Sequence, residues 1–175
     1  MKNKVGILMG IIIILAAIGI LAIVGCQTVT STATGYSTAT LTHWGFDFAT
    51  GARTDEAGKY DGETITWNPD AVTTTVEGTT YPSYSNYVWW RGASGSLASV
   101  PHQKHMGQVA LSTVLTVPST WDSGSNIWPL LVGCAYVVKC SPEGYAKFRV
   151  TSYEASPSWE AEVEYYFTTG TTFDK

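Results

Sequence analysis

The one cluster of imidazole and thioether side chains in the sequence lies in a polar stretch. His102, His105 and Met106 fall within residues 96–108, a segment without helical or strand periodicity that predicts a loop. Imidazole nitrogens and a thioether sulfur can each occupy an axial position on haem iron. His102 and His105 are too close along the chain to grip opposite faces of one porphyrin easily, so the distant His43 is the candidate second ligand. The alternative for this cluster is a set of solvated loop residues, since histidine is also an ordinary surface residue.

A second candidate site is the densest aromatic stretch of the chain. Tyr84, Tyr87, Trp89 and Trp90 offer rings that could stack on a sugar or on a flat ligand. Strand alternation would bury Tyr87 and Trp89 and expose Val88 and Trp90, or the reverse, which leaves a large ring outside. Ordinary packing in the core and at a sheet edge is the alternative, because aromatic side chains also dominate protein interiors.

Sequence signatures of catalysis are missing. The chain has no Gly-x-Ser-x-Gly elbow, no phosphate-binding loop and no His-Glu-x-x-His motif. Glu160, Glu162 and Glu164 recur on one side of a predicted strand, a pattern typical of a solvated face. We therefore expect a binding protein, not an enzyme.

The charge of the chain narrows the choice of partners. Removing Lys2 and Lys4 with a leader takes the ten basic residues to eight, against 14 acidic ones, a net charge of about −6. No run of Lys or Arg follows the leader. Nucleic acid is therefore an unsuitable partner, and membrane contact is expected to come from the N-terminus and not from a basic patch.

The elements that must position these residues are predicted to be strands. Bulky apolar side chains alternate with polar ones at 44–48, 63–67, 131–140 and 145–153, and most cleanly at 159–167. The segment 108–117 fits either a strand or one short helix. The sequence predicts an all-β, antiparallel, sandwich-like single domain over residues 43–175.

Two cysteines fall in one of these predicted strands. At about 3.3 Å per residue, the Cα atoms of Cys134 and Cys140 stand near 20 Å apart, beyond the roughly 7 Å that a disulfide tolerates. They therefore cannot pair with each other, and we expect both to be buried, reduced thiols.

The N-terminus predicts export and attachment to a membrane. A short basic region precedes an apolar run from Val5 to Val24, long enough to cross a bilayer core. The run ends at Ile23-Val24-Gly25-Cys26, which resembles a bacterial lipobox with Cys26 as the acylated residue. An uncleaved transmembrane anchor and a pilin-type leader are the alternatives, and all three place later residues outside the cytoplasm. Residues 27–42, rich in Thr, Ser and Ala, predict a flexible tether between the 1–26 leader and the domain.

Segments at both ends of the domain resemble a known family. They are the opening Gly45-Phe46-Asp47-Phe48-Ala49-Thr50-Gly51, the hairpin over 136–153 and the closing strand over 159–167. They are similar to HmuY-type envelope lipoproteins, which bind haem, whereas residues 60–129 match nothing in that family. The resemblance implies a nearly all-β lipoprotein on the outer face of a membrane, with haem or a related tetrapyrrole as ligand. A surface adhesive protein that contacts glycans or proteins through exposed aromatic residues is the first alternative, and a hydrolase with an unrecognised site is the second.

Overall fold

The computed structural model describes residues 35–54, 60–65, 73–76, 79–82, 87–92, 102–122, 127–154 and 158–174. Within these ranges the chain forms twelve strands and one 3-10 helix, Leu111–Thr113. The strands are β1 (Ser37–Leu41), β2 (Phe46–Asp47), β3 (Ala52–Arg53), β4 (Gly62–Ile65), β5 (Thr73–Val76), β6 (Thr79–Pro82), β7 (Trp89–Gly92), β8 (Gln103–Gly107), β9 (Ile127–Pro129), β10 (Ala135–Lys139), β11 (Tyr145–Glu154) and β12 (Glu160–Thr168).

Ten of these strands form two antiparallel sheets. The first sheet has the order β1-β12-β11-β10-β8, and the second has the order β3-β2-β4-β7-β9. Strands β5 and β6 pair with each other as a separate hairpin. The fold is therefore all-β and sandwich-like, which confirms the class predicted from the alternation of side chains.

The longest pairing in the first sheet follows the predicted pattern. Tyr145 to Glu154 run antiparallel to Glu160 to Thr168, with a register shift between Val150 and Ser152. Ala146, Phe148 and Val150 are all buried in the core between the sheets. Successive side chains of a strand point to opposite faces, so the alternation in the sequence fixes which face of the sheet turns inward.

An aromatic cluster joins the two sheets. The ring of Phe48, at the end of β2, stacks on that of Phe148 in β11 with 5.4 Å between centroids. Tyr136 in β10 stacks on the same Phe148 ring at 5.1 Å, and Trp90 in β7 approaches it at 5.5 Å. The core therefore consists of large rings contributed by both sheets, which gives the domain a rigid interior.

The face of the first sheet that points away from the second is also covered. Residues 108–122 and the C-terminal residues cross it, held together by a bridge between Thr116 and Thr172 and by a hydrogen bond from the Phe173 N–H to the Leu115 carbonyl. The 108–117 segment, which the sequence left undecided, contains the 3-10 helix and otherwise lies outside the named strands. Leu111, Val114 and Phe173 pack there with Ala135 and Val137 as a second apolar cluster.

This cover corrects the prediction that the charged face of β12 is wet. Glu162 is exposed as expected, but Glu164 is buried, as are Lys147 and Arg149 on the neighbouring strand. Arg149 Nη1 lies 3.5 Å from Glu164 Oε1, and Arg149 Nε also donates to the Gly133 carbonyl. Period-two alternation shows which residues share a face, but it carries no information about a distant segment that later covers that face.

Two further predictions about irregular segments were wrong in part. Ser37–Leu41, within the predicted tether 27–42, forms edge strand β1 with Leu41 fully buried. Gln103–Gly107, within the predicted loop 96–108, forms edge strand β8 paired with β10. Both strands pair on one side only within the first sheet, so few of their side chains need be apolar and the usual strand signal is weak.

Candidate functional site

The four candidate haem ligands lie in different surroundings. His102 is 0% exposed, and its imidazole packs so closely on Gly92 that an added Cβ there would lie 1.8 Å from Nε2. The His105 ring stacks on Trp128 at 6.1 Å and meets Tyr136 edge-on at 5.1 Å. Met106 packs against the second apolar cluster, whereas His43 is exposed.

These positions do not form one ligand set in the described part of the chain. A porphyrin needs access to its axial ligands, and the burial of His102 withholds that access. No group of three or more His, Cys, Asp or Glu side chains suited to a metal ion occurs among the described residues. Of the four candidates, His43 is the one that the fold leaves on the surface.

The predicted aromatic surface at Tyr84–Trp90 lies largely in the core. Trp89 is 0% exposed, Trp90 is 1% exposed, and Tyr87 is half-buried against the same cluster, while Tyr84 lies outside the described residues. Strand β7 is internal to its sheet, and the Trp90 ring fills the space beside Gly62, where an added Cβ would lie 2.0 Å from it. Trp89 and Trp90 are therefore not a binding surface, which corrects that prediction.

An exposed aromatic surface occurs instead at the β1–β2 turn. Trp44 is 43% exposed, and the centre of the His43 ring lies 4.5 Å from the centre of the Trp44 ring. The Arg53 guanidinium carbon lies 5.4 Å from the centre of the Trp44 ring. We call His43, Trp44 and Arg53 together the Trp44 surface.

Short-range backbone geometry holds this surface in place. Gly45 has a φ of +84°, and an added Cβ would lie 2.7 Å from the Tyr60 ring and 2.9 Å from the Thr54 carbonyl oxygen. The Thr54 N–H donates to the Gly45 carbonyl at 3.2 Å, and the Trp44 N–H donates to Thr42 Oγ1 at 3.2 Å. Glycine at position 45 permits this left-handed conformation, so the chain turns there. Trp44 therefore does not lie on the face that Phe46 and Phe48 share.

The alternation at 44–48 predicts that Trp44 shares one strand face with Phe46 and Phe48. Both phenylalanines are buried, but β2 begins only at Phe46. A glycine between two aromatic residues was the signal that could have separated Trp44 from them, since glycine within a strand pattern often marks a break. Arg53 carried no signal, because its proximity to Trp44 depends on the pairing of Phe46 with Arg53.

Asp61 and Cys140 form a buried pair that serves the scaffold. The Asp61 carboxylate accepts hydrogen bonds from the backbone N–H groups of Phe48 and Ser141, at 2.9 and 2.8 Å, and from the Cys140 thiol. Burial raises the pKa of Asp61, although the two backbone donors oppose the rise, and burial raises the pKa of Cys140 well above its usual value. A thiol with a raised pKa is a poor nucleophile, so this pair fits a structural role.

A small cavity opens beside the register shift in β11. It measures about 210 Å³ and is lined by Ser152, Tyr153 and three carboxylate side chains, those of Glu154, Glu160 and Glu162. Glu162 accepts a hydrogen bond from Thr40 and Glu154 accepts one from Ser158. Glu154 and Glu162 thus have local hydrogen-bond partners on the surface.

Cys134 and Cys140 differ in oxidation state. Cys140 is free and buried, as predicted. Cys134 is disulfide-bonded, which corrects the prediction of a reduced thiol. That prediction compared only two positions on one strand and took no account of a partner from a distant part of the chain. Cys26, the predicted acylation site, lies outside the described residues.

Comparisons with known proteins add no relative. No family model, no curated protein and no solved structure matches the chain. No helix among the described residues is long and apolar enough to cross a membrane, and the apolar run from Val5 to Val24 lies outside them. The class that the fold defines is an all-β, sandwich-like domain, and its function rests on the site alone.

Proposed function

We propose that this protein is a membrane-tethered, extracytoplasmic domain that binds a glycan through the Trp44 surface and catalyses no reaction. The basic start, the apolar run and the lipobox-like tetrapeptide ending at Cys26 support export and anchoring. A scaffold packed around large aromatic rings, with its buried ionisable groups engaged in structural contacts, supports a binding role.

The exposure of Trp44 carries this proposal. Every other Phe, Tyr or Trp ring whose exposure the structure describes is buried or half-buried, whereas Trp44 is presented on a turn that hydrogen bonds and Gly45 hold in one shape. An ordered aromatic side chain contributes contact area at little cost in conformational entropy. Tryptophan also has an apolar face and an N–H donor, a combination that suits a sugar ring with its hydroxyl groups.

The first experiment is a glycan-array measurement on the full chain in detergent micelles. Trp44→Ala should lower the signal on bound glycans by at least tenfold, because the ring supplies the contact face. Leu115→Ala is the matched control, since Leu115 is an exposed apolar residue outside this surface. Circular dichroism must show that both variants keep the β spectrum. Equal signals for Trp44→Ala and the native chain would contradict the proposal.

Haem capture, the function implied by the family resemblance, is tested in parallel. His43 is the exposed candidate, so a hemin complex at this site should lose its Soret shift in His43→Ala. We expect no tight hemin complex in the native chain because His102 is buried. A sharp Soret shift that His43→Ala removes would replace the glycan proposal with haem binding.

The anchor has its own chemical test. The chain has three cysteines, of which Cys134 is disulfide-bonded and Cys140 is free. A sulfur that carries a thioether-linked lipid cannot also belong to a disulfide, so acylation of Cys26 requires Cys134 to be unpaired with it. Mass spectrometry of the membrane-extracted protein, alkylated in denaturant without reduction, therefore distinguishes the two anchors: an uncleaved Met1 terminus with one alkylated thiol agrees with the disulfide at Cys134, whereas a diacylated N-terminal Cys26 peptide with two alkylated thiols would contradict that disulfide. An unmodified Met1 terminus would exclude lipidation.

A further inference from the structure

We propose that the Trp44 surface selects a carboxylated saccharide, such as one carrying a uronic or sialic acid. This inference rests on the proposed function, because it names the class of glycan that the same surface would bind. It is carried by the position of the Arg53 guanidinium over an exposed indole ring, and it needs no metal ion or cofactor.

The ring supplies the first half of the recognition. The face of an indole ring carries negative charge from its π electrons, and the C–H bonds of a pyranose ring carry partial positive charge. Stacking of the sugar on Trp44 therefore combines apolar burial with electrostatic attraction. The Arg53 guanidinium carbon lies over the same ring, 5.4 Å from its centre and within cation–π distance, so Arg53 covers part of the indole and a sugar would stack on the part that is exposed.

Arg53 supplies the second part of the recognition, a contact with the carboxylate of the saccharide. Of the three arginines in the chain, Arg91 pairs with Glu63 and Arg149 pairs with Glu164. No carboxylate among the described residues forms an ion pair with Arg53, which is itself exposed. A guanidinium group can donate two parallel N–H bonds to one carboxylate, a geometry that a lysine ammonium cannot reproduce. Arg53 thus offers an accessible carboxylate-binding group at the margin of a sugar-binding ring.

The net charge of the chain determines where attraction for an acidic glycan must come from. The chain carries a net charge of −4, so long-range electrostatics repel an acidic glycan. Attraction must therefore be local and depend on Arg53, with His43 nearby as a hydrogen-bonding group for hydroxyls. We expect removal of the Arg53 charge to abolish the preference for acidic sugars, while a neutral sugar would keep its stacking contact.

The experiment compares each acidic glycan with its own neutral form. The full chain in detergent micelles is titrated calorimetrically with tetragalacturonate, a hyaluronan tetrasaccharide and sialyllactose, and with the carboxyl-reduced version of each. At least one acidic form should bind tenfold or more tightly than its reduced form. Arg53→Gln should remove that difference, and Arg53→Lys should restore it only in part.

A matched control removes a cation from a second tryptophan. Lys139 Nζ lies 4.7 Å from the centre of the Trp121 ring, outside the Trp44 surface, so Lys139→Gln should leave the preference unchanged. Equal affinity for acidic and reduced forms, lost in Trp44→Ala, would overturn the carboxylate inference and leave glycan binding intact. Binding of none of the six sugars would overturn the inference, and the glycan array then decides the proposed function separately.

Discussion

Trp44 is exposed because of the residue that follows it. Gly45 takes a left-handed conformation in a space that admits no side chain, and the chain changes direction before β2 begins. Gly45→Ala would introduce both backbone strain and a clash with the Tyr60 ring. The shape of the Trp44 surface therefore depends on a residue that has no side chain.

Asp61 supports the first stability prediction. Replacing Asp61 with Ala leaves the N–H groups of Phe48 and Ser141 without their acceptor in a buried site, and each such loss costs about 1–3 kcal/mol. We expect Asp61→Ala to lower the free energy of unfolding by about 2–5 kcal/mol in urea denaturation. Asp61→Asn, which keeps one acceptor oxygen, should lose less. A loss under about 0.5 kcal/mol in Asp61→Ala would contradict this account of the site.

At the scale of elements, Lys147 connects the first sheet to residues 108–122 and the C-terminal residues, which cross its outer face. Its Nζ donates to the Leu111 and Val114 carbonyls at 3.0 and 2.9 Å, in the segment that crosses the outer face. Three aromatic rings surround the same ammonium group at 5.2–5.8 Å, those of Tyr36, Tyr166 and Phe173. One side chain on β11 therefore contacts β12, the 3-10 helix region and both ends of the described chain.

This arrangement makes stability depend on pH. Burial lowers the pKa of Lys147 to about 8 from 10.5, so above pH 8 the unfolded chain binds more protons than the folded chain. The sign follows directly: the free energy of unfolding should rise by about 1 kcal/mol between pH 7 and pH 9 through this group. Urea denaturation at both pH values measures the change.

Lys147→Met provides the comparison, because it removes the titrating group and keeps much of the side-chain volume. The variant should lack the rise between pH 7 and pH 9, while groups elsewhere titrate alike in both proteins. The difference between the two proteins is the test, because burial raises the pKa of Cys140, Tyr36 and Tyr153, whose ionisation in the unfolded chain acts in the opposite direction in both proteins. A native-chain rise that persists undiminished in Lys147→Met would refute this role of Lys147.

The sequence predicted the strands whose side chains alternate strongly. It missed the strands whose existence depends mainly on pairing with a neighbouring strand. Strands β11 and β12 followed from the alternation around Phe148 and Val163, because both bury one full row of side chains. Strand β1 was missed because, among Ser37–Leu41, only Leu41 is fully buried and the rest depends on pairing with β12. Burial of Lys147 and Glu164 could not be predicted, since it depends on a segment distant in sequence that covers them.

The residues of the candidate site were likewise predictable from the sequence only in part. His43 was named from the sequence and lies on the surface as an accessible side chain. Trp89 and Trp90 were named for their aromatic density, but an internal strand buries both. The proximity of Arg53 to Trp44 arises from the β2–β3 pairing, so no periodicity in the sequence could have indicated it.

For the molecule as a whole, we propose a membrane attachment at the N-terminus and a β-sandwich that presents the exposed Trp44 ring. The described domain already begins at β1, so the tether proposed for residues 27–42 ends before Ser37. A short tether would keep the Trp44 surface near the membrane, where it would meet glycans of the envelope itself or of a neighbouring surface. Binding there would be strengthened by the many copies that one membrane presents.

Direct contact between Trp44 and the ligand is the claim on which the account depends, and nitrogen-15 NMR of the indole groups tests it. The chain has seven tryptophans, and the signal missing from Trp44→Phe identifies Trp44 in spectra of the full chain in micelles. Addition of the glycan that binds should shift the Trp44 indole signal and leave those of the buried Trp89 and Trp90 in place. A saturating glycan that leaves the Trp44 signal unmoved would contradict the account.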